Sequence, residues 1–162
     1  MTDSVPDMSL EAKILTVSDS VHAGTRPDDT GPAVSAALVA HGFHVVDHQV
    51  TPDGVVAVSA ALADLTTSFH GLVVTAGGTG FSPTDRTPEA TRLMLDREAP
   101  GLAEAARLVS PLGRLSRGVA GTVGSALVIN LPGSVTGAVE SLNAVVDVLP
   151  HALELLEGGQ PH

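Results

Sequence analysis

Strand-like and helix-like segments alternate along most of this chain, and that alternation limits its architecture more than any single motif does. Residues 71–75, Gly-Leu-Val-Val-Thr, are a short apolar run rich in β-branched side chains, as a strand covered on both faces requires. Residues 12–18 and 43–50 read as earlier strands and 125–130 as a later one. Between and after them, helices are expected over residues 31–41 with Pro32 at the first position, 55–65 and 101–109. A further helix should open at Thr87, as N-cap, with Pro88 and Glu89 in its first turn, and run through Leu95. Residues 113–121 are Gly- and Ser-rich, and residues 134–156 read as one long closing helix bent at Pro150. The order implies an α/β fold: a mostly parallel sheet with helices on both faces.

Composition removes several functional classes. The 162 residues suit one domain, and 43% hydrophobic content is enough for a core. A net charge of −10 with Lys13 as the sole lysine argues against a nucleic-acid surface, which needs a basic stripe to replace phosphate counterions. Aromatic residues make up only 2%, too few for base-stacking platforms. The absence of cysteine rules out disulfides and thiolate metal sites. No apolar run approaches membrane-spanning length, and the acidic start of the chain lacks a signal-peptide pattern. The expectation is a cytoplasmic protein with a flexible tail over residues 1–10, a domain over 11–158 and a short tail over 159–162.

The strand at residues 71–75 runs directly into Gly77-Gly78-Thr79-Gly80, and Asp85 stands two residues before the presumed cap Thr87. The glycines fit a tight turn or a cradle of backbone N–H groups for an anion at a helix start, and alone they do not choose. The spacing matches neither G-x-x-x-x-G-K-[ST] nor G-x-G-x-x-G. Asp85 has no evident structural duty and is therefore a candidate for chemistry. An acidic protein that binds phosphate must neutralise it locally, by a divalent cation, backbone N–H groups or one of a few arginines, of which Arg26, Arg86 and Arg117 lie near motifs.

Three other strand ends carry small polar groups: Ser18-Asp19-Ser20 with Gly24 and then Asp28-Asp29-Thr30-Gly31-Pro32, Thr51-Pro52-Asp53-Gly54, and Asn130-Leu131-Pro132-Gly133-Ser134. In a parallel sheet these ends converge on one rim with the Gly77 loop. Local structural duties compete with function at each. Asp53 could cap the helix near Val55, Asp29 and Thr30 the Pro32 helix, and Ser134 the last helix, whereas Asp19 has no evident cap role. His44 and His48 share one strand face, but a solvated or edge histidine is expected there in preference to a zinc ligand. The aliphatic helices around residues 34–40 and 138–149 face either the chain's own sheet or a second subunit.

Taken in order, the motif Thr75-Ala76-Gly77-Gly78-Thr79-Gly80 with Pro83, Asp85, Thr87-Pro88-Glu89-Ala90-Thr91, together with Ser18-Asp19, Pro52-Asp53, Leu115-Ser116-Arg117 and Asn130-Leu131-Pro132-Gly133, resembles the molybdopterin-binding family of molybdenum cofactor biosynthesis, of the MogA/MoaB type. The likeness runs from about Ala12 to Leu156. It implies a three-layer α/β/α fold, a homotrimer, and transfer of adenylate from Mg-ATP to the terminal phosphate of molybdopterin with release of pyrophosphate. A molybdate-insertion enzyme would act downstream.

The resemblance further implies that Asp53 and Asp85 are the catalytic acidic pair and organise Mg²⁺ with the phosphates. Gly77, Gly78, Thr79 and Gly80, with Thr75 before them, would bind the molybdopterin or phosphate. Ser18, Asp19, Asn130, Pro132, Gly133 and Ser134 would complete the pocket, and Ser116 and Arg117 would meet polar groups of the ligand. Two places depart from the family pattern, which often has an arginine directly before the aspartate matched by Asp85 and one directly after the Ser-Asp pair. Here these are Thr84 and Ser20, while Arg86 follows Asp85. The alternatives are a non-catalytic molybdopterin-binding or assembly paralogue and, further off, a pyridine-nucleotide-processing domain.

Overall fold

A computed structural model of the chain describes residues 9–159. Apart from Ser9, Leu10 and Gly159, the two expected tails lie outside the described residues. Six strands form one sheet: β1 (Leu10–Val17), β2 (Phe43–Thr51), β3 (Gly71–Ala76), β4 (Arg97–Glu98), β5 (Ala120–Val123) and β6 (Ala126–Leu131), in the order β2-β1-β3-β6-β5-β4. The first four of that order run parallel, while β5 is antiparallel to β6 and to β4. The helices are α1 (Asp19–His22), α2 (Thr30–Ala40), α3 (Val55–Thr66), α4 (Thr87–Met94), α5 (Pro100–Arg107), α6 (Val135–Asn143) and α7 (Leu149–Leu156). Among the described residues, no helix is long and apolar enough to cross a membrane.

The two-residue alternation of the central strands divides the core into two halves, one on each side of the sheet. Ile14, Leu72, Val74 and Ile129 pack with Val34 and Leu38 of α2, Leu142 of α6 and Leu149 of α7. On the opposite face, Leu15, Val73 and Val128 pack with Val58, Leu62 and Leu65 of α3 and Ala90 of α4. The chain is thus a three-layer α/β/α domain. β3 is buried along its whole length, as its unbroken apolar run requires.

Three local expectations differ from what forms. Thr87 is the first residue of α4, with Arg86 in the cap position; its hydroxyl donates instead to the Gly77 carbonyl at 2.9 Å, tying the helix to the glycine loop. The Gly- and Ser-rich stretch runs into β5, which pairs with β6 and the two-residue β4; neither β4 nor β5 had enough apolar alternation to read as a strand. The closing helix is two helices, α6 and α7, joined through a 3₁₀ turn at Val146–Val148. Pro150 sits in the first turn of α7, where its missing N–H breaks no helical bond. The buried apolar residues of α2 and α6 pack on the sheet side, while Val39 of α2 and Val135 of α6 are exposed, as are Val56, Phe81, Leu93, Leu108, Leu112 and Leu115 elsewhere in the chain.

Candidate active site

The carboxyl ends of β1, β2, β3 and β6 form one rim, on which two adjoining cavities open. The polar one, about 530 Å³, is lined by Ser18, Arg26, Asp28, Thr30, Asp53 and Gly77 among others. The more apolar one, about 440 Å³, is lined by Thr79, Gly80, Ser116 and Pro132, with walls from Val109, Leu112 and Leu115. Gly78, Asp85, Gly133 and Ser134 line both. These four residues are the shared wall of a two-lobed cleft.

The glycine loop can reach this wall only because it has no side chains there. Gly77 has a φ of 111°, and a Cβ on it would lie 2.2 Å from the Val17 carbonyl oxygen of β1. Gly78 has a φ of 69°; its Cβ would lie 2.2 Å from Thr87 Oγ1 and 3.2 Å from Asp53 Oδ1. The Gly77 N–H is bonded to the Leu131 carbonyl at 3.0 Å. Among the described residues, no group accepts from the N–H of Gly78, Thr79 or Gly80, so three donors are free where an anion would sit.

Arg117 holds that loop in shape. Its backbone N–H donates to the Thr79 carbonyl at 2.8 Å, Nε to the Gly80 carbonyl at 2.8 Å and one terminal nitrogen to the Asp85 carbonyl at 2.8 Å. The other terminal nitrogen bonds Glu89 of α4. Arg117 lines neither lobe, so its expected contact with the ligand gives way to a clamp on the loop that would make the contact. Burial disfavours the charge of Glu89, but the bond from Arg117, a backbone hydrogen bond and the charges of Arg117 and Arg86 together hold the carboxyl below its ordinary value.

Asp53 and Asp19 position each other. Asp53 Oδ2 accepts from the Asp19 N–H at 3.1 Å, and Asp19 Oδ1 accepts from the Asp53 N–H at 2.9 Å. Asp53 therefore caps no helix: the cap position of α3 is Gly54. Burial pushes the Asp53 carboxyl above its ordinary value, and the charges of Asp19 and Asp85 push it further. Asp85, in turn, is less idle than its sequence position suggested, since Oδ2 accepts from the Ser82 N–H at 3.0 Å and fixes the turn after Gly80.

Thr75 and Asn130 are buried and line neither lobe. Asn130 donates to the hydroxyls of Thr75 at 3.0 Å and Thr91 at 2.9 Å, and accepts from the Val119 N–H at 3.1 Å. Both were expected to bind ligand; their polar atoms are instead engaged in stitching β3, α4 and β6 beneath the loop. Ser18 caps α1 by accepting from Val21, and Ser134 caps α6 by accepting from Gly137 at 3.1 Å, each while lining a lobe. Ser116 lines the apolar lobe.

Several rim residues were not legible as site residues. Asp28, not Asp29, accepts from the Gly31 N–H at the start of α2, and it also accepts from Thr16 at 2.7 Å with His48 Nε2 3.2 Å away. Thr30 donates to the Gly133 carbonyl at 2.7 Å, joining the β1 and β6 loops. Thr136, Gly137, Glu140 and Ser141 line the apolar lobe from one face of α6, a spacing visible in the sequence once the lobe is known.

Among the described residues, no three His, Cys, Asp or Glu groups gather into a metal cage. Asp53 and Asp85 nevertheless suit Mg²⁺, which takes one or two carboxylates and fills the rest of its shell with water and substrate phosphate. The Asp53 carboxyl is raised by burial and further by the charges of Asp19 and Asp85, and a cation would relieve that repulsion.

Fold and cleft together are those of the family described as "probable molybdopterin binding domain", whose match covers residues 13–151, and the chain belongs to that family. It is 48% identical to the molybdopterin biosynthesis enzyme MoaB from Thermus thermophilus, covering 94% of this chain and 98% of that one with a TM-score of 0.86. It is 32% identical to the molybdopterin adenylyltransferase of Helicobacter pylori strain J99 over 90% of this chain and 86% of that protein. Gephyrin from Dictyostelium discoideum is 34% identical over 88% of this chain, which spans only 22% of gephyrin's length. Two other curated relatives are likewise longer, the chain spanning 26% and 48% of them.

Proposed function

We propose that the protein adenylylates molybdopterin. An oxygen of the terminal phosphate of molybdopterin forms a bond to the α-phosphorus of ATP; the bond from that phosphorus to the bridging oxygen breaks, and its electron pair leaves with pyrophosphate. The single observation that carries this reading is the shared wall of Gly78, Asp85, Gly133 and Ser134 between two cavities, because two phosphate-bearing substrates must meet at one border.

The chain supplies alignment and charge. The substrate phosphate is itself the nucleophile, so no serine or cysteine is needed, and holding both phosphates at the wall replaces a bimolecular encounter. The N–H groups of Gly78, Thr79 and Gly80, which have no acceptor among the described residues, are available to charge that grows on the transferring phosphoryl oxygens. Asp53 and Asp85 would hold Mg²⁺, which supplies shielding of phosphate charge when bound with ATP. Arg26 is the one Lys or Arg lining the polar lobe, and among the described residues its guanidinium has no partner, so it is available to the polyphosphate.

The exposed Leu93, Leu108, Leu112 and Leu115 support assembly of the chain as a homotrimer, and a molybdate-insertion enzyme would consume the product. Incubation of purified protein with molybdopterin, ATP and Mg²⁺ tests the reaction. Pyrophosphate and adenylylated pterin in equal amounts are expected. Molybdopterin binding without either product would make the protein the non-catalytic paralogue that the absence of arginine at Thr84 and Ser20 leaves open.

A further inference from the structure

The apolar lobe has one carboxylate without a partner. Among its lining residues there is no lysine or arginine, and the two carboxylates are Asp85, at the border with the polar lobe, and Glu140 on α6. Glu140 has no side-chain hydrogen bond or ion pair with any described residue. Of the other carboxylates around the cleft, Asp53 is engaged by Asp19, Asp28 by Thr16, Asp85 by Ser82 and Glu89 by Arg117, while Asp29, in the polar lobe, has no side-chain partner among the described residues. Thr136, Gly137 and Ser141 lie on the same helical face as Glu140, opposite Leu112 and Leu115 in the lining of the lobe.

We propose that Glu140 reads the pyrimidine edge of the pterin and so assigns the two lobes, the apolar one to the pterin and the polar one to the nucleotide. This assignment rests on the molybdopterin reading above. An ionised carboxylate only accepts, through two oxygens side by side. The 2-amino-4-oxopyrimidine edge of a pterin presents two adjacent donors, the ring N3–H and the 2-amino group, and pairs with it in two parallel charge-assisted bonds. The Watson–Crick edge of adenine places an acceptor, N1, beside its amino donor, and a carboxylate repels that lone pair. The same side chain therefore favours pterin and disfavours adenine, so specificity comes from attraction and repulsion together. Six residues of helix separate Glu140 from Ser134 at the shared wall, a rise of about 9 Å. That is the scale of a fused heterocycle held at one end by its phosphate and at the other by its pyrimidine edge.

The test measures affinities of the full chain for three probes: a phosphorylated pterin, the matching phosphorylated lumazine with a carbonyl in place of the 2-amino group, and a non-hydrolysable ATP analogue. The wild-type protein is expected to prefer the pterin roughly tenfold or more over the lumazine. Glu140→Gln is expected to weaken pterin binding by a similar factor, to reduce the preference to about threefold or less, and to leave the ATP analogue bound as before. Glu140→Asp, which keeps the charge on a shorter stem, should retain part of the preference. Glu140 is exposed, so the variants should melt like the wild type. A Glu140→Gln protein that keeps the wild-type preference overturns the assignment alone, as does one that loses the ATP analogue and keeps the pterin. A wild-type protein that binds neither pterin nor lumazine overturns the molybdopterin reading and this assignment with it.

Discussion

Asp19 and Asp53 each accept a hydrogen bond from the other's backbone N–H, at 2.9 and 3.1 Å, so the loops after β1 and β2 lock together through the carboxylates they present. The arrangement holds Asp53 at the cleft against the repulsion of Asp19 and Asp85. Burial and that repulsion raise its carboxyl above the ordinary value. A raised carboxyl binds its proton more tightly in the folded state, so stability falls as pH rises from the ordinary carboxylate value to the raised one.

Asp53→Asn should therefore separate stability from function. The amide can still accept from the Asp19 N–H but carries no charge. Thermal melting at neutral pH should show the variant at least as stable as the wild type, with the difference vanishing below the ordinary carboxylate range. Adenylyl transfer should fall at least tenfold, about 1.4 kcal/mol of barrier. A variant less stable at neutral pH would contradict the electrostatic account of Asp53.

Asp85→Asn should also lower turnover at least tenfold, or about 1.4 kcal/mol, with the fold intact. The amide oxygen can keep the bond from the Ser82 N–H, so circular dichroism and melting should match the wild type. Wild-type turnover in this variant would remove Asp85 from the mechanism.

Arg26→Ala should raise the KM for ATP about tenfold and leave pterin affinity unchanged, because Arg26 lines the polar lobe alone. Steady-state kinetics with each substrate varied in turn distinguishes this from a general loss. An effect on the pterin side would reverse the assignment of the lobes.

Glu89 gives the opposite pH behaviour to Asp53. Its carboxyl is held below the ordinary value, so the stability from its bond to Arg117 is present above that value and lost as pH falls through the lowered one. Glu89→Gln should remove this acid-side slope from melting curves and slow turnover, since the Arg117 clamp on the Gly80 and Asp85 carbonyls loses its anchor on α4. An unchanged acid-side slope would contradict the clamp.

Asn130→Ala should destabilise the fold by about 2–3 kcal/mol, because the buried Thr75 hydroxyl and the Val119 N–H would lose their partner together, and the Thr91 hydroxyl, which keeps its bond to the Thr87 carbonyl, would lose the donor it accepts from. Urea unfolding measures it directly. A loss under 0.5 kcal/mol, roughly the range of an indifferent surface change, would return Asn130 to the list of ligand-binding residues.

The parallel core of the fold was legible because β1, β3 and β6 are apolar runs whose strand ends carry small polar residues. β4 and β5 were not, because a two-residue edge and the segment Ala-Gly-Thr-Val have no periodicity of their own; β5 is made a strand by pairing with β6, and β4 by pairing with β5. The rim was legible for the same topological reason: parallel strands bring Asp53, Gly78, Asp85 and Gly133 together wherever they occur in the sequence. What the sequence could not distinguish was a polar residue facing the cleft from one facing inward. Thr75 and Asn130 occupy paired positions on β3 and β6, and only the packing of α4 over them shows that their polar atoms are satisfied within the protein. Arg117 was obscured similarly, since a guanidinium near a glycine loop suits a phosphate and a carbonyl equally well.

The central claim is that the two lobes bring a pterin phosphate and the α-phosphate of ATP together at the Gly78–Asp85 wall. The most direct measurement is a single-turnover reaction of excess enzyme with molybdopterin and ATP labelled at the α-phosphorus. The account requires the label to appear on molybdopterin in the wild type, in step with pyrophosphate, and to be at least tenfold slower in Asp53→Asn and Asp85→Asn. Label that stays on free nucleotide, with both substrates shown to be bound, would contradict it.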